Sequence, residues 1–168
     1  KKVIMKLPYL LYPLLLSTAL LAKTPEFKMQ TIDDKVGIGY GVQLADMNAD
    51  KKTDVILVDK DMVAWYENPT WKKHVIVNHL TKRDHVCLTA RDLNGDGRAE
   101  LALGAQWNPG DTLNSGAVFY LSPKGSKGGK WNHHPLPHVP TTHRMHWIKG
   151  QGGKYHLIVK PLHGRGNK

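Results

Sequence analysis

The sequence of 168 residues carries 24 Lys and Arg against 14 Asp and Glu, which gives a formal net charge of +10. Because the basic residues are spread along the chain without a nucleic-acid-binding motif, this charge does not indicate a nucleic-acid partner. The single cysteine, Cys87, excludes an intrachain disulfide, so no covalent cross-link within the chain contributes to its stability.

Residues 1–22 have the pattern of a secretory signal peptide. A charged start at Met5 precedes an apolar run, residues 7–21, which ends in small residues suited to cleavage. Residues 1–4 are interpreted as an extension upstream of the true start. The apolar run is shorter than the ~20 residues of a membrane span, and Pro13 interrupts it. The sequence therefore predicts a secreted or periplasmic protein with no membrane span after cleavage.

The rest of the sequence divides into repeated units. Residues 23–39 form an N-terminal segment or a first partial strand, and residues 40–80 and 81–138 each contain a strand, an acidic loop and three further strands. Four short antiparallel strands are the unit of a β-propeller blade. Residues 139–168 are predicted to form an incomplete blade, and no calcium is predicted there because its loop has lost every carboxylate.

The two complete units can be aligned beyond their loops. Residues 63–66 align with residues 117–120 as an aromatic strand, and Trp71–His74 aligns with Trp131–His134 as a Trp-led fourth strand. An insertion at residues 108–115 lengthens the second unit and is predicted to be a surface loop. This internal self-similarity predicts a repeat architecture.

Each complete unit contains an acidic loop of nine residues, residues 46–54 in the first unit and residues 92–100 in the second. Oxygen-bearing side chains occupy positions 1, 3, 5 and 9 of each loop, and position 7 can offer its backbone carbonyl. Calcium takes six to eight oxygen ligands, so this spacing predicts two calcium sites. The predicted metal ligands are Asp46, Asn48, Asp50, Lys52 and Asp54 in the first loop and Asp92, Asn94, Asp96, Arg98 and Glu100 in the second.

The loops and their flanking strands, over about residues 40–122, resemble the FG-GAP or VCBS family of propeller repeats. The resemblance implies an all-β fold, here a partial β-propeller of two four-stranded blades and part of a third after the signal peptide. Since propellers close with about four to eight blades, the chain is interpreted as a fragment whose remaining blades are missing. The first loop departs from the family pattern at Lys51, where the second has Gly97, and a positive φ there would strain a side chain by about 1 kcal/mol.

A narrower resemblance rests on residues 64–69, residues 105–116 and residues 161–167. These segments look like the propeller part of aldos-2-ulose dehydratase/isomerase-like proteins, which are sugar lyases. The resemblance implies a carbohydrate dehydratase or isomerase activity for the whole protein. It transfers no catalytic residue, because no catalytic motif can be aligned position by position.

Two histidines occupy matching places, each seven residues before the position of a loop. His85 and His143 are therefore expected at the mouth of a central channel, with His163 as a third candidate. Neutral imidazoles that converge in this way can bind zinc or another transition metal and take part in catalysis. Arg144 and Arg165, beside these histidines, are candidates for binding an anionic or hydroxylated substrate.

Two functions of different classes stay open at this point. In the first, calcium orders a propeller that serves as a scaffold for binding a glycan, a small sugar or another extracellular protein. In the second, the propeller belongs to a metal-dependent sugar lyase or isomerase whose channel metal is held by the three histidines. Whether the protein is an enzyme is therefore left open by the sequence.

Overall fold

The computed structural model describes residues 24–125 and 129–167, so the predicted signal peptide, residues 1–22, lies outside the described residues. Of these residues, 31–125 and 129–167 belong to one compact unit, and residues 24–30 belong to a separate one. All ten strands belong to the larger unit, and the described residues contain no α-helix. Within that part of the chain, no helix is long and apolar enough to cross a membrane.

The first sheet contains four antiparallel strands in the order in which they occur in the sequence. These strands are β1 (Gly41–Ala45), β2 (Asp54–Val58), β3 (Met62–Glu67) and β4 (Lys72–Asn78).

The second sheet repeats this arrangement. Its strands are β5 (Cys87–Arg91), β6 (Glu100–Ala105), β7 (Ala117–Lys124) and β8 (Lys130–Leu136). A third sheet has two strands, β9 (Thr142–Lys149) and β10 (Tyr155–Pro161). The prediction of an all-β chain with two four-stranded blades and part of a third is confirmed.

The first strand of each sheet lies beside the first strand of the next, so β1 packs on β5 and β5 packs on β9. Between the first two sheets, Ile56, Val58 and Trp65 pack in one cluster with Leu101 and Leu103 of β6. These residues alternate along their strands because successive side chains point to opposite faces of a sheet. The core therefore lies between stacked sheets.

Strand β6 is buried along its whole length because it belongs to the second sheet, which packs against the first sheet on one face and the third on the other. Its odd-numbered residues face the first sheet, whereas Ala102 packs with Met145 of the third sheet. At Gly104 an added Cβ would lie 2.6 Å from the Sγ of Cys87 and 2.8 Å from the Cγ2 of Thr142, so only glycine fits. Cys87 is itself buried, and burial raises the pKa of its thiol to about 12.

The fourth strands of the two complete sheets do not align as the sequence suggests. Tyr120 pairs with His134, but the equivalent Tyr66 pairs with Lys73 rather than with His74. The cause is an irregularity in the pairing of β3 with β4 between Val63 and Ala64, which shifts the register by one residue. Lys73 is therefore the structural counterpart of His134.

Asp59, directly after β2, anchors the segment that leads into β1. Its carboxylate is 6% exposed and accepts hydrogen bonds from the backbone N–H groups of Gly37, Ile38 and Gly39 at 2.8, 2.7 and 3.0 Å. A fourth backbone N–H, that of Lys60, donates at 2.8 Å. Burial alone would raise the pKa of Asp59, but these four donors together lower it to about 2.

We predict that Asp59→Asn lowers the free energy of unfolding by about 2 kcal/mol at neutral pH, since the pKa of Asp59 falls from 3.8 to about 2 on folding. A lowered pKa contributes stability above the unfolded value of 3.8, and this contribution is lost as the pH falls toward 2. Denaturant unfolding of the wild-type protein and of Asp59→Asn should therefore show a difference in the free energy of unfolding that shrinks as the pH falls from 3.8 toward 2. The exposed Asp34→Asn is the control, and an equal loss in both variants would contradict the role of Asp59.

Candidate metal centre

The two acidic loops occupy equivalent positions in neighbouring sheets. Residues 46–54 connect β1 to β2, and residues 92–100 connect β5 to β6. In both loops the last residue, Asp54 or Glu100, is also the first residue of the second strand. The structure therefore places the ten predicted metal ligands in two repeated strand connections.

In the first loop, side-chain oxygens accept hydrogen bonds from the backbone of the loop itself. The carboxylate of Asp46 at position 1 accepts from the N–H groups of Ala49 and Lys51, both at 2.7 Å. The amide oxygen of Asn48 at position 3 accepts from the N–H of Asp50 at 3.1 Å. Such bonds from Asp and Asn side chains favour tight turns.

The second loop repeats these bonds position by position. Asp92 accepts from the N–H groups of Gly95 and Gly97 at 2.7 and 2.9 Å, and Asn94 accepts from the N–H of Asp96 at 2.8 Å. Two sequences that share their acidic positions but differ at positions 4 and 6 therefore adopt one loop shape.

A buried carboxylate closes each loop at position 9. Asp54 accepts from the N–H of Met47, and Glu100 accepts from the N–H of Leu93, both at 2.9 Å. The two acidic residues are 0% and 2% exposed. Burial raises the pKa of both carboxyl groups, and the other two carboxylates of each loop raise it further, although the backbone N–H donors act in the opposite direction. The charged forms of Asp54 and Glu100 are therefore disfavoured by their surroundings.

The donor set of each loop is chemically suited to a hard divalent cation. It consists of three carboxylates, one amide oxygen and one backbone carbonyl, with no nitrogen or sulfur ligand. Position 5 is engaged by the side chain at position 7, with Lys52 3.1 Å from Asp50 and Arg98 3.6 Å from Asp96. Within residues 24–125 and 129–167, no three His, Cys, Asp or Glu side chains are arranged to hold a metal ion.

Both loops need a positive φ at positions 4 and 6. The φ angles are 65° at Ala49 and 66° at Lys51 in the first loop, and 85° at Gly95 and 87° at Gly97 in the second. The expectation for position 6 is confirmed. Sequence reasoning missed position 4, although the glycine at that position of the second loop carried the signal.

The three candidate histidines lie in different surroundings. His85 is fully buried, and its ring nitrogens have no hydrogen-bond partner among the described residues. Burial lowers the pKa of His85, although the carboxylates of Asp61 and Asp84 act in the opposite direction.

His143 is half-buried and stacks on Trp107, with 5.5 Å between the ring centroids. Burial lowers the pKa of His143, and the charges of Arg144 and Lys160 lower it further. His163 is exposed. The structure thus gives the three imidazoles different degrees of access to solvent.

The two candidate arginines lie apart from each other in the fold, and only Arg144 lines a cavity. Arg144 lies at the wall of a cavity of about 220 Å³ between β1 and β5, and Arg165 is exposed in the turn after β10. A second cavity, of about 500 Å³, separates the insertion of the second sheet from the turn after β10. Its lining residues are Pro109, Gly110, Asp111, Thr112, Leu113, Asn114, His163 and Asn167.

Three antiparallel sheets whose first strands lie side by side define a partial β-propeller. In a comparison with models of known protein families, residues 46–103 match the FG-GAP-like repeat and residues 88–121 match the FG-GAP repeat. These matches include both acidic loops and support the FG-GAP repeat family, whose repeats typically occur in extracellular proteins. No curated protein and no solved structure gave a match, and the narrower resemblance to aldos-2-ulose dehydratase has no support from the comparisons.

We predict that Lys51→Gly raises the free energy of unfolding by about 0.5–1 kcal/mol, because it relieves a positive φ at an exposed side chain. At the equivalent position of the second loop, Gly97→Ala places a Cβ at a positive φ and should lower the free energy of unfolding by about 1 kcal/mol. Both values can be read from denaturant unfolding in the presence of a chelator. Effects of the same sign for the two substitutions would contradict a shared loop conformation.

We also predict that His85→Phe stabilises the protein more at about pH 5 than at about pH 7.5. The pKa of His85 is lower in the folded state, so the unfolded state binds a proton more readily and wild-type stability falls below pH 6.5. The variant lacks this proton uptake. Denaturant unfolding at the two pH values measures the effect, and the exposed His133→Phe serves as the control. An unchanged difference between the variant and wild type at both pH values would refute the prediction.

Proposed function

We propose that this chain is part of a secreted, calcium-stabilised FG-GAP-type β-propeller that serves as a scaffold for binding a glycan or another extracellular protein. The main support is the repetition of one donor arrangement. Two loops with different residues at positions 4 and 6 place their acidic side chains in the same hydrogen-bonded positions, on equivalent connections of neighbouring sheets.

Calcium would stabilise each loop by offsetting the repulsion among its carboxylates. The residues that would hold it are those at positions 1, 3, 5 and 9, together with the backbone carbonyl of Lys52 or Arg98 at position 7. The buried Asp54 and Glu100 would gain most, since burial and neighbouring carboxylates already disfavour their charged forms. An ion that binds the folded loop but not the unfolded chain raises the free energy of unfolding, and the gain grows as the ion concentration exceeds Kd.

The larger cavity supports the binding part of the proposal. One carboxylate oxygen of Asp111 is fixed there by the N–H groups of Leu113 and Asn114, at 3.1 and 2.8 Å. The side chains of Asn114 and Asn167 offer amide donors and acceptors, and Leu113 is 54% exposed. Polar groups beside an apolar side chain suit a sugar, which presents hydroxyl groups and C–H faces together.

Export fits the same proposal. The sequence pattern of residues 1–22 predicts secretion, and extracellular calcium modules work with affinities of about 10⁻⁴–10⁻³ M. Loops that contain an asparagine in place of a fourth acidic residue would bind in a weak range of this kind.

The proposal predicts that calcium raises the melting temperature of the protein. Each site should add about 2.7 kcal/mol to the free energy of unfolding when the calcium concentration is 100 times Kd. Asp92→Asn should reduce this calcium-dependent gain by about 1.4 kcal/mol for each tenfold loss of affinity. Thermal unfolding in calcium and in chelator measures both effects.

The control for this experiment is His74→Ala. His74 stacks on Trp65 and pairs with Glu67 in the outer part of the first sheet, so its loss should change stability without changing the calcium increment. Equal melting temperatures in calcium and in chelator for the wild-type protein would rule out the calcium proposal.

A further inference from the structure

Two basic residues stand directly opposite each other in the third sheet. Arg144 of β9 pairs with Lys160 of β10, so both side chains lie on the same face of the sheet. Like charges in directly opposed positions destabilise a sheet. In the described part of the chain, no carboxylate forms a salt bridge with either side chain. The needs of strand pairing therefore do not account for this pair.

The sequence around the pair is free of acidic residues. Residues 112–168 contain nine Lys and Arg and no Asp or Glu, whereas residues 1–111 contain 15 Lys and Arg against 14 Asp and Glu. Nearly all of the net charge of +10 thus belongs to the last third of the chain, which includes both strands of the third sheet. A surface with one sign of charge raises the local concentration of ligands of the opposite sign.

Arg144 also borders the cavity of about 220 Å³ between β1 and β5. Among the described residues that line this cavity, Arg144 alone is charged. Gln43 on β1 adds an amide that can donate and accept hydrogen bonds, and Val42, Val86 and Leu88 add apolar surface. An apolar wall with a few polar groups that converge on it is typical of a site for a small ligand.

The positive charge of the pair acts on neighbouring titratable groups. Burial lowers the pKa of His143, and the charges of Arg144 and Lys160 lower it further. Burial raises the pKa of the Cys87 thiol, while Arg144 acts in the opposite direction because a nearby cation favours the thiolate. Cys87 lines the same cavity as Arg144. Positive potential therefore extends from the pair into the cavity.

The guanidinium of Arg144 has donors to spare for a ligand. Its Nη1 donates to the carbonyl of His143 at 2.8 Å, and within residues 24–125 and 129–167 this is the one hydrogen bond that it makes. A guanidinium carries five N–H donors, and two of them can bind both oxygens of one carboxylate. The carboxylate of Asp84 accepts the O–H of Tyr40, another residue of the cavity wall, at 2.6 Å and does not pair with Arg144.

We propose that Arg144, Lys160 and this cavity bind a small organic carboxylate, either a free carboxylic acid or the acid group of a sugar. Arg144 binds the carboxylate through two N–H donors, and the anion relieves the repulsion between Arg144 and Lys160. Gln43 and the apolar wall contact the rest of the ligand. The site is separate from the acidic loops and requires no calcium. Sequence reasoning named Arg144 as a candidate but missed Lys160, because only strand pairing brings the two together.

The first test compares three probes at constant ionic strength, with the NMR amide signals of Gln43 and Leu88 in the full chain as reporters. Sodium galacturonate and sodium acetate should give saturable shifts, whereas galactose, which lacks the acid group, should give none. Galacturonate that binds about tenfold tighter than acetate assigns the site to an acidic sugar, and equal affinities assign it to free carboxylic acids. Equal responses to galacturonate and galactose overturn the proposal.

The second test uses matched charge substitutions. Arg144→Gln should raise the Kd of galacturonate by about tenfold or more, because it removes the two-point contact together with the charge. The control is Arg165→Gln, which removes the same charge from the exposed turn after β10 and should leave Kd unchanged. An equal rise in both variants would show attraction by net charge alone and would overturn the site.

Lys160→Gln separates a binding role from a structural one. Without a carboxylate, the variant should melt at a higher temperature than the wild-type protein, because the repulsion with Arg144 is gone. Galacturonate should then raise its melting temperature less than that of the wild-type protein, since binding to the folded state is weaker. A lower melting temperature together with an unchanged Kd would mean that Lys160 supports the sheet and binds no anion, which overturns its part in the site.

Discussion

Each acidic loop depends on a carboxylate buried at the first residue of the following strand. Asp54 and Glu100 hold the backbone at position 2 of their loops and so fix where the second strand begins. The same burial places negative charge beside two further carboxylates, and this raises the pKa of both groups. The interaction that shapes the loop therefore creates an unfavourable charge cluster, which a proton or a divalent cation can relieve.

The loops are connected to each other, since the backbone N–H of Ala99 donates to the carbonyl of Asp46 at 2.9 Å, and also to the packing of the sheets. Met47 and Ala99 lie in the same apolar cluster as Ile56 and Leu101, the central residues of the core between the first two sheets. A change in loop order consequently alters contacts in that core. Because interiors are close-packed, such changes are felt by neighbouring side chains rather than absorbed locally.

The sequence could predict the strands, because their apolar residues alternate or run continuously on either side of two acidic loops. It could also predict a positive φ at position 6, since Lys51 stands where the second loop has glycine. It could not predict the one-residue shift of β4, which arises from irregular pairing with β3. Nor could it predict the contacts of Asp59 with Gly37, because bonds across 22 residues of sequence leave no local pattern. The burial of His85 likewise follows from tertiary packing.

The third sheet provides an internal comparison for the chemistry of the loops. Its two strands are joined by a short turn at Gln151–Gly153, closed by a backbone bond from the N–H of Gly150 to the carbonyl of Lys154 at 2.8 Å. This connection contains no Asp or Glu, yet β9 and β10 pair in a regular antiparallel register over most of their length. A strand connection in this fold therefore does not require carboxylates. In the other two connections the carboxylates recur at the same positions because each accepts hydrogen bonds from the backbone of its own loop, and these bonds give both loops one shape.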